Sequence, residues 1–311
     1  MKAAQIATYG DSSVIKVVDI NRPTVSEGTV LVEVHASSLN PFDTTVREGH
    51  VKAMMPPLPV TLGGDIAGIV LEVGAGVTTI SPGDYVYGQA AAIAGNSGAI
   101  AEYAVTKAGQ VATMPTNLDF KAAASLPLVG VSAWQALNEH INLQPGQKIF
   151  IHGGAGGIGT VAIQIAKSIG AYVITTATGD GLQLVEQLGA DELIDYKQQD
   201  FTDALHDLDA VFDTVGGDDF SKSLAVLRQG GIAVSMIAQP DTDTATVLGV
   251  TALMQQTTVT TEKLAALRDL VEGGRVTPQI GRVFALDDIQ AAFTSRETES
   301  INGKVVIEIA S

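Results

Sequence analysis

Apolar and polar positions change rhythm near residue 118. Before that point the pattern is that of strands. Residues 30–34 (VLVEV) form a short β-branched segment, and residues 65–73 (DIAGIVLEV) an apolar run rich in branched side chains. Glycine and proline punctuate this part at Pro56-Pro57, Gly63-Gly64 and Pro82-Gly83-Asp84. Beyond it, helices are predicted at 122–126 and 131–140, and then strands and helices alternate. Residues 148–152 (KIFIH) read as a buried strand. Residues 160–169 place Val161, Ala162, Ile165, Ala166 and Ile169 on one helical face. Strands follow at 172–176, 210–214 and 232–236, with helices at 182–188 and 220–228, the second stopped by Gly230-Gly231. The tail predicts a helix at 262–272, a short strand at 282–284, a helix at 287–294 and a last strand at 304–309.

Alternating strands and helices imply parallel βαβ units. Both ends of the chain are strand-like, so the α/β part is expected as an insertion into a β-rich part. A chain of 311 residues is long enough for about two domains. The formal net charge of −16 argues against nucleic-acid partners and anionic membrane surfaces, which require basic surface. The chain has no cysteine, which removes thiolate catalysis, disulfides and cysteine-ligated zinc. No apolar run approaches the ~20 residues that span a bilayer, and the start lacks an apolar signal core, so the cytoplasm is the expected address.

The strongest chemical signal is HGGAGGIG at 152–159. It contains Gly154-x-Gly156-x-x-Gly159 directly after a strand and before an amphipathic helix. In a Rossmann domain such a turn brings backbone N–H groups and a helix N-terminus to a pyrophosphate. Gly153, Ala155, Gly156, Gly157, Ile158 and Gly159 are therefore candidate dinucleotide-binding residues. The ribose-binding carboxylate of such domains lies ~20 residues on. Here Thr175, Thr176 and Thr178 stand in that stretch, and no acid appears before Asp180. The pattern favours NADPH, with NADH as the alternative. Thr176, Thr178 and Tyr196 are candidates for the adenosine side, and Val215 and Gly216 for the loop after the fourth strand.

The ordered motifs resemble those of the medium-chain dehydrogenase/reductase superfamily, in its zinc-free quinone oxidoreductase (zeta-crystallin-like) branch. They are Leu39-Asn40-Pro41-x-Asp43, Gly63-Gly64-Asp65-x-x-Gly68, Pro82-Gly83-Asp84-x-Val86-x-Gly88, Ala101-Glu102-Tyr103, the glycine turn, Leu188-Gly189-Ala190-Asp191, Asp213-x-Val215-Gly216-Gly217 and Gly303-Lys304-Val305-Val306. The resemblance implies a doubly wound Rossmann sheet (120–257) inserted into a β-rich GroES-like catalytic domain (1–119 and 258–311). It also implies a homodimer and a substrate cleft between the lobes. Asn40 and Gly64 stand where zinc-dependent relatives place metal ligands, so no metal is expected.

A carbonyl is hard to reduce without a Lewis acid, whereas a quinone or enone accepts hydride at carbon and passes the electron pair to oxygen. The expected activity is hydride transfer from NADPH to such an acceptor. Asn40 is a candidate donor to the acceptor oxygen or a ligand of the nicotinamide ribose; equally, it is a turn residue before Pro41. Asp43 is expected to pair with Arg47 structurally in preference to donating a proton. Ser132 falls where relatives place a threonine near the nicotinamide. Phe42, Met54, Met55 and Met236 are candidate pocket linings, with ordinary core packing the preferred expectation for each. A non-catalytic NADPH-binding sensor or crystallin-like protein is a second reading, and a zinc-free alcohol dehydrogenase a third.

Overall fold

The computed structural model describes residues 1–309. It divides into two compact units. The first comprises Met1–Leu128, Val259–Glu272 and the chain from Pro278 onward; the second comprises Val129–Thr258 and Gly273–Thr277.

In the first unit, β1 (Lys2–Ile6), β2 (Ile15–Asp19) and β4 (Val60–Thr61) form a small sheet in the order β2-β1-β4. The long strand β3 (Thr29–Leu39) and β5 (Asp65–Val73) are the centre of a seven-stranded sheet. It also takes in β6 (Tyr85–Gln89), β7 (Tyr103–Lys107) and β8 (Val111–Thr113). Most of these pairings are antiparallel. A core of Val30, Val32, Val34, Ile66, Val70 and Val86 lies within this unit. Helix α1 (Pro41–Glu48) leaves β3 through Asn40, and Pro41 suits its first turn because that position needs no N–H donor. The short helix α2 (Phe120–Ala124) also belongs here. Phe120 stacks on His35 and Tyr85, with ring centroids 4.2 and 5.5 Å away. This packing carries the division of the chain past the 119/120 boundary expected from sequence, to Leu128 within α3 (Pro127–Gln135).

The second unit is a six-stranded parallel sheet in the order β11-β10-β9-β12-β13-β14. The strands are β9 (Lys148–His152), β10 (Tyr172–Ala177), β11 (Glu192–Asp195), β12 (Leu208–Asp213), β13 (Leu227–Ser235) and β14 (Thr251–Met254). This is the doubly wound Rossmann order, with the first strand central and the order reversing between β9 and β12. Residues 149–151 and 210–213 are buried on both faces, as expected of a parallel sheet covered by helices. Helix α4 (Gly157–Ile169) follows β9 and ends at Gly170, which has φ 93°. Helix α5 (Asp180–Gln187) follows β10.

One predicted boundary fails here. The helix expected at 220–228 ends at Ser223, and β13 starts at Leu227 and runs through Gly230-Gly231. The glycines therefore lie inside a strand. Gly231 packs so closely that a Cβ would meet Arg228 O at 3.0 Å and Asp209 O at 3.2 Å.

The chain then returns to the first unit. A helix spans Thr261–Glu272, and β15 (Ile280–Ala285) pairs with β16 (Lys304–Glu308), which pairs in turn with β3. Residues 273–277 stay with the second unit, where the Gln164 carboxamide both accepts from Thr277 N–H at 2.8 Å and donates to Thr277 O at 3.0 Å. Among the described residues no helix is long and apolar enough to cross a membrane.

Candidate functional site

In the second unit the phosphate turn forms as its sequence dictates. β9 ends at His152, Gly153 takes φ 86°, and Gly156 is the N-cap of α4. Three of the glycines are demanded by the fold. A Cβ on Gly153 would meet Thr214 Oγ1 at 2.7 Å and Val215 Cγ2 at 2.9 Å. One on Gly154 would meet Thr175 Oγ1 at 2.1 Å. One on Gly159 would meet Gly153 O at 2.2 Å. Gly156 differs. Its φ is −75°, and a Cβ there would meet only Gly153 O, at 3.4 Å. The protein itself leaves room at Gly156, in front of a helix N-terminus whose free N–H groups and dipole suit an anion.

Around the turn, Gly153 N–H donates to Thr176 Oγ1 at 2.9 Å, and Thr176 is buried. Thr178 bonds to Asp195, which stands opposite Ala177 in the register of β10 and β11. The backbone N–H of Lys197 and the side chains of Thr178 and Gln198 bond to Asp195 and hold its carboxyl below the ordinary value. The two hydroxyls expected to face a 2′-phosphate thus already have partners in the protein, and two acids stand near the end of β10: Asp180 at the start of α5 and Asp195 at the end of β11. Tyr196 and Val215 are exposed at the carboxyl ends of their strands.

The loop holding Val215 and Gly216 is anchored by a buried aspartate that opens the sequence motif but had no role assigned to it from sequence. Asp213, the last residue of β12, accepts from His152 Nδ1 at 3.2 Å, Ser235 Oγ at 2.6 Å, and the N–H groups of Val215 and Gly216 at 3.1 Å. Burial works against its charge, but these hydrogen bonds outweigh it and leave the carboxyl below its ordinary value. Asp213 thereby ties the loop after β12 to the strand that carries the glycine turn. Ser132, also in this unit, is buried, and its hydroxyl bonds to Thr257 Oγ1 at 2.7 Å.

In the first unit Asn40 and Asp43 come together with two residues the sequence reading gave no role, Asp65 and Lys304. Asn40 N–H donates to Asp43 Oδ2 at 2.7 Å. Asn40 Nδ2 donates to Asp65 Oδ2 at 2.8 Å, and Lys304 Nζ donates to Asn40 Oδ1 at 2.6 Å. Lys304 Nζ also donates to Leu39 O at 2.8 Å and lies 3.7 Å from Asp65 Oδ2. Asp65 further accepts from Ser38 Oγ at 3.2 Å and Leu128 N–H at 3.0 Å. All four residues are buried. Burial, and then the Asp65 charge, push the Asp43 carboxyl up to about 7 against the Asn40 N–H, Lys304 and Arg296. Burial lowers the Lys304 ammonium from its ordinary value, against Asp65 and Asp43.

Two expectations are corrected in this unit. Asp43 does not pair with Arg47. The Arg47 guanidinium is fully buried and reaches Gly10 O at 2.9 Å, Glu48 at 2.7 Å and Glu297, over the face of Phe293. Phe42 and Met54 are exposed. The cause in α1 is that Asp43, Val46 and Arg47 occupy its buried face, which turns Phe42 outward. The signal available for Asp65, Asp213 and Lys304 is a charged residue at the end of an apolar run: DIAGIV, AVFD, KVVI.

Comparison with known proteins accords with this architecture. The alcohol dehydrogenase GroES-like domain family matches residues 26–116, and the family described as zinc-binding dehydrogenase matches residues 188–307. The chain belongs to the medium-chain dehydrogenase/reductase superfamily, among its quinone oxidoreductases and enone reductases. It is 36% identical to a 2-methylene-furan-3-one reductase of Solanum lycopersicum, over 99% of this chain and 79% of the relative. It is 35% identical, with the same coverage, to a chloroplastic NADPH-dependent alkenal/one oxidoreductase of Arabidopsis thaliana. Its fold matches the solved structure of the quinone oxidoreductase from Coxiella burnetii with a TM-score of 0.90, at 34% identity and 99% coverage of both chains.

One of these family descriptions implies zinc, and the residues of this chain do not fit it. Zinc takes histidine, cysteine or carboxylate ligands. Asn40 and Gly64 offer no such ligand, and the acid that follows Gly64, Asp65, already accepts four hydrogen bonds and faces the Lys304 ammonium. Among the described residues no three histidine, cysteine, aspartate or glutamate side chains gather as a metal site would require.

Proposed function

We propose that the chain is a zinc-independent, NADPH-dependent reductase of quinones or α,β-unsaturated carbonyls. The observation that carries the reading is Gly156, a glycine the fold does not require, at the mouth of a helix N-terminus and directly after the first strand of a Rossmann sheet. Space kept there suits a pyrophosphate approaching the backbone. The names of the relatives support NADPH as the dinucleotide and an enone or quinone as the acceptor.

When bound, the dihydronicotinamide supplies the hydride. The protein places the acceptor, and it offers hydrogen-bond donors to the oxygen that gains the electron pair. Asn40 is that donor in this reading: one Nδ2 hydrogen is held by Asp65, and the other is available to the acceptor oxygen. A proton from solvent or from Asp43 then completes the hydroquinone or the saturated carbonyl. Asp43, with its carboxyl near 7, carries a proton over part of the neutral range. The homodimer implied by the resemblance belongs to the same reading.

The test is NADPH oxidation by the pure protein against a panel of quinones and enones, after exhaustive dialysis against EDTA. Steady turnover is expected. NADPH binding without turnover would make the protein a sensor, and turnover only after zinc is restored would overturn metal independence.

A further inference from the structure

The orientation of the Asn40 carboxamide is decided by two buried charges. Its oxygen faces the Lys304 ammonium at 2.6 Å and its nitrogen faces the Asp65 carboxylate at 2.8 Å. Turning the amide by half a circle would set N–H groups against an ammonium and a carbonyl oxygen against a carboxylate. Both contacts would then be repulsive where no water screens them. The two charges are themselves held. Leu39 O takes a second Lys304 hydrogen, while Ser38 Oγ and Leu128 N–H fix Asp65. The four groups sit on separate segments: the end of β3, the start of β5, the start of β16 and the first turn of α3.

We propose that Lys304 and Asp65 are a positioning pair that locks Asn40, so that its remaining Nδ2 hydrogen points at the acceptor oxygen as the electron pair arrives there. This inference rests on the reductase reading and extends it. Lys304 supplies the fixed positive charge that the site would otherwise take from a metal, and it acts through the amide. By drawing on Oδ1 it polarises the carboxamide and strengthens the N–H as a donor. Neither Lys304 nor Asp65 needs to touch the acceptor.

Losing Lys304 alone strands a buried carboxylate, so Lys304→Met is expected to unfold readily. The informative variant is Lys304→Met with Asp65→Asn, which removes both charges together. It is expected to fold, to bind NADPH within twofold of wild type, and to lose at least tenfold in kcat. Loss of one well-placed oxyanion donor costs about a hundredfold or more. Adding Asn40→Ala to the double variant is expected to lower kcat by less than threefold further, although Asn40→Ala alone lowers it at least tenfold. Such non-additivity marks residues that act as one unit. A purely structural role predicts the opposite: restored neutrality restores kcat. A folded double variant with kcat within threefold of wild type, or an Asn40→Ala effect that multiplies in full, overturns the proposal.

A readout independent of activity separates this inference from the reading beneath it. In protein labelled with 15N-asparagine, the Asn40 side-chain amide is assigned by its disappearance in Asn40→Ala. Its hydrogen exchange is expected to be slow in wild type and at least tenfold faster in the double variant. Fast exchange in wild type refutes the lock, even if no charge variant can be purified. Slow exchange in a protein that reduces no acceptor leaves the lock standing and refutes the reductase reading.

Discussion

The two units prepare for charge by different means. The second offers backbone: a turn of glycines, a helix N-terminus, and a loop whose N–H groups are gathered by Asp213. The first offers side chains, with Asn40 set between Lys304 and Asp65 and with Asp43 beneath it. A backbone site depends on the absence of side chains within a few consecutive residues. A side-chain site depends on residues brought together from three separate stretches of the chain. The first kind tolerates little at one position, while the second is a network in which replacing one member shifts the balance of the rest.

The sharpest way to break this contrast is at Gly156. Gly156→Asp is expected to weaken NADPH binding by roughly a hundredfold or more, about 2.8 kcal/mol, with thermal unfolding little changed. The space is open and the backbone ordinary, so only a ligand would meet the carboxylate. Gly159→Ala is expected to do the reverse, costing about 1–3 kcal/mol of stability because its Cβ would meet Gly153 O at 2.2 Å. Fluorescence titration and thermal melts of both variants decide it. Equal effects of the two on binding would mean that the turn is not the phosphate site.

A smaller effect probes the side-chain unit through pH. The Asp43 carboxyl is raised from 3.8 to about 7, so the folded chain keeps a proton that the unfolded chain releases. Stability from this group is therefore undiminished below about pH 4, is lost as pH rises toward 7, and stays lost above it. Asp43→Asn keeps an acceptor for the Asn40 N–H and removes the titration. Relative to wild type, the variant is expected to gain on the order of 1–3 kcal/mol between pH 5 and pH 8. Denaturant melts across that range test it, and parallel curves for the two proteins would show that Asp43 does not titrate there.

The smallest effect concerns the adenosine end. With Thr176 buried, Thr178 engaged by Asp195, and Asp180 and Asp195 both near the end of β10, the preference for NADPH over NADH is expected to be near tenfold, about 1.4 kcal/mol. Asp180→Arg is expected to widen it by about another tenfold, and added salt to shrink that gain. The ratio of kcat/KM for the two cofactors measures both. A wild-type preference for NADH would make an acid of this loop the ribose ligand.

The sequence by itself determined the Rossmann unit and its phosphate turn. The period of apolar positions marks β9 and α4, and the glycines that distinguish the turn are neighbours in the chain, so local rules reach them. It also determined the superfamily, through short motifs in a fixed order. The helix expected over 220–228 was misjudged, because Gly230-Gly231 reads as a stop signal while close packing across the sheet needs glycine inside β13. Only the tertiary structure decided the role of α1. Its buried face sets Asp43 and Arg47 beside Val46, which no hydrophobic pattern predicts, and Arg47 finds its partners in Glu297 and Glu48 rather than in the aspartate one turn away. It likewise decided what Asn40 does. Lys304 is separated from Asn40 and Asp65 by most of the chain, and each alone is a polar residue at the end of an apolar run. Their meaning lies in distances of about one hydrogen bond. Those distances are set by the pairing of β3 with β5 and β16, because a charge buried by that pairing persists only where the fold supplies its partner.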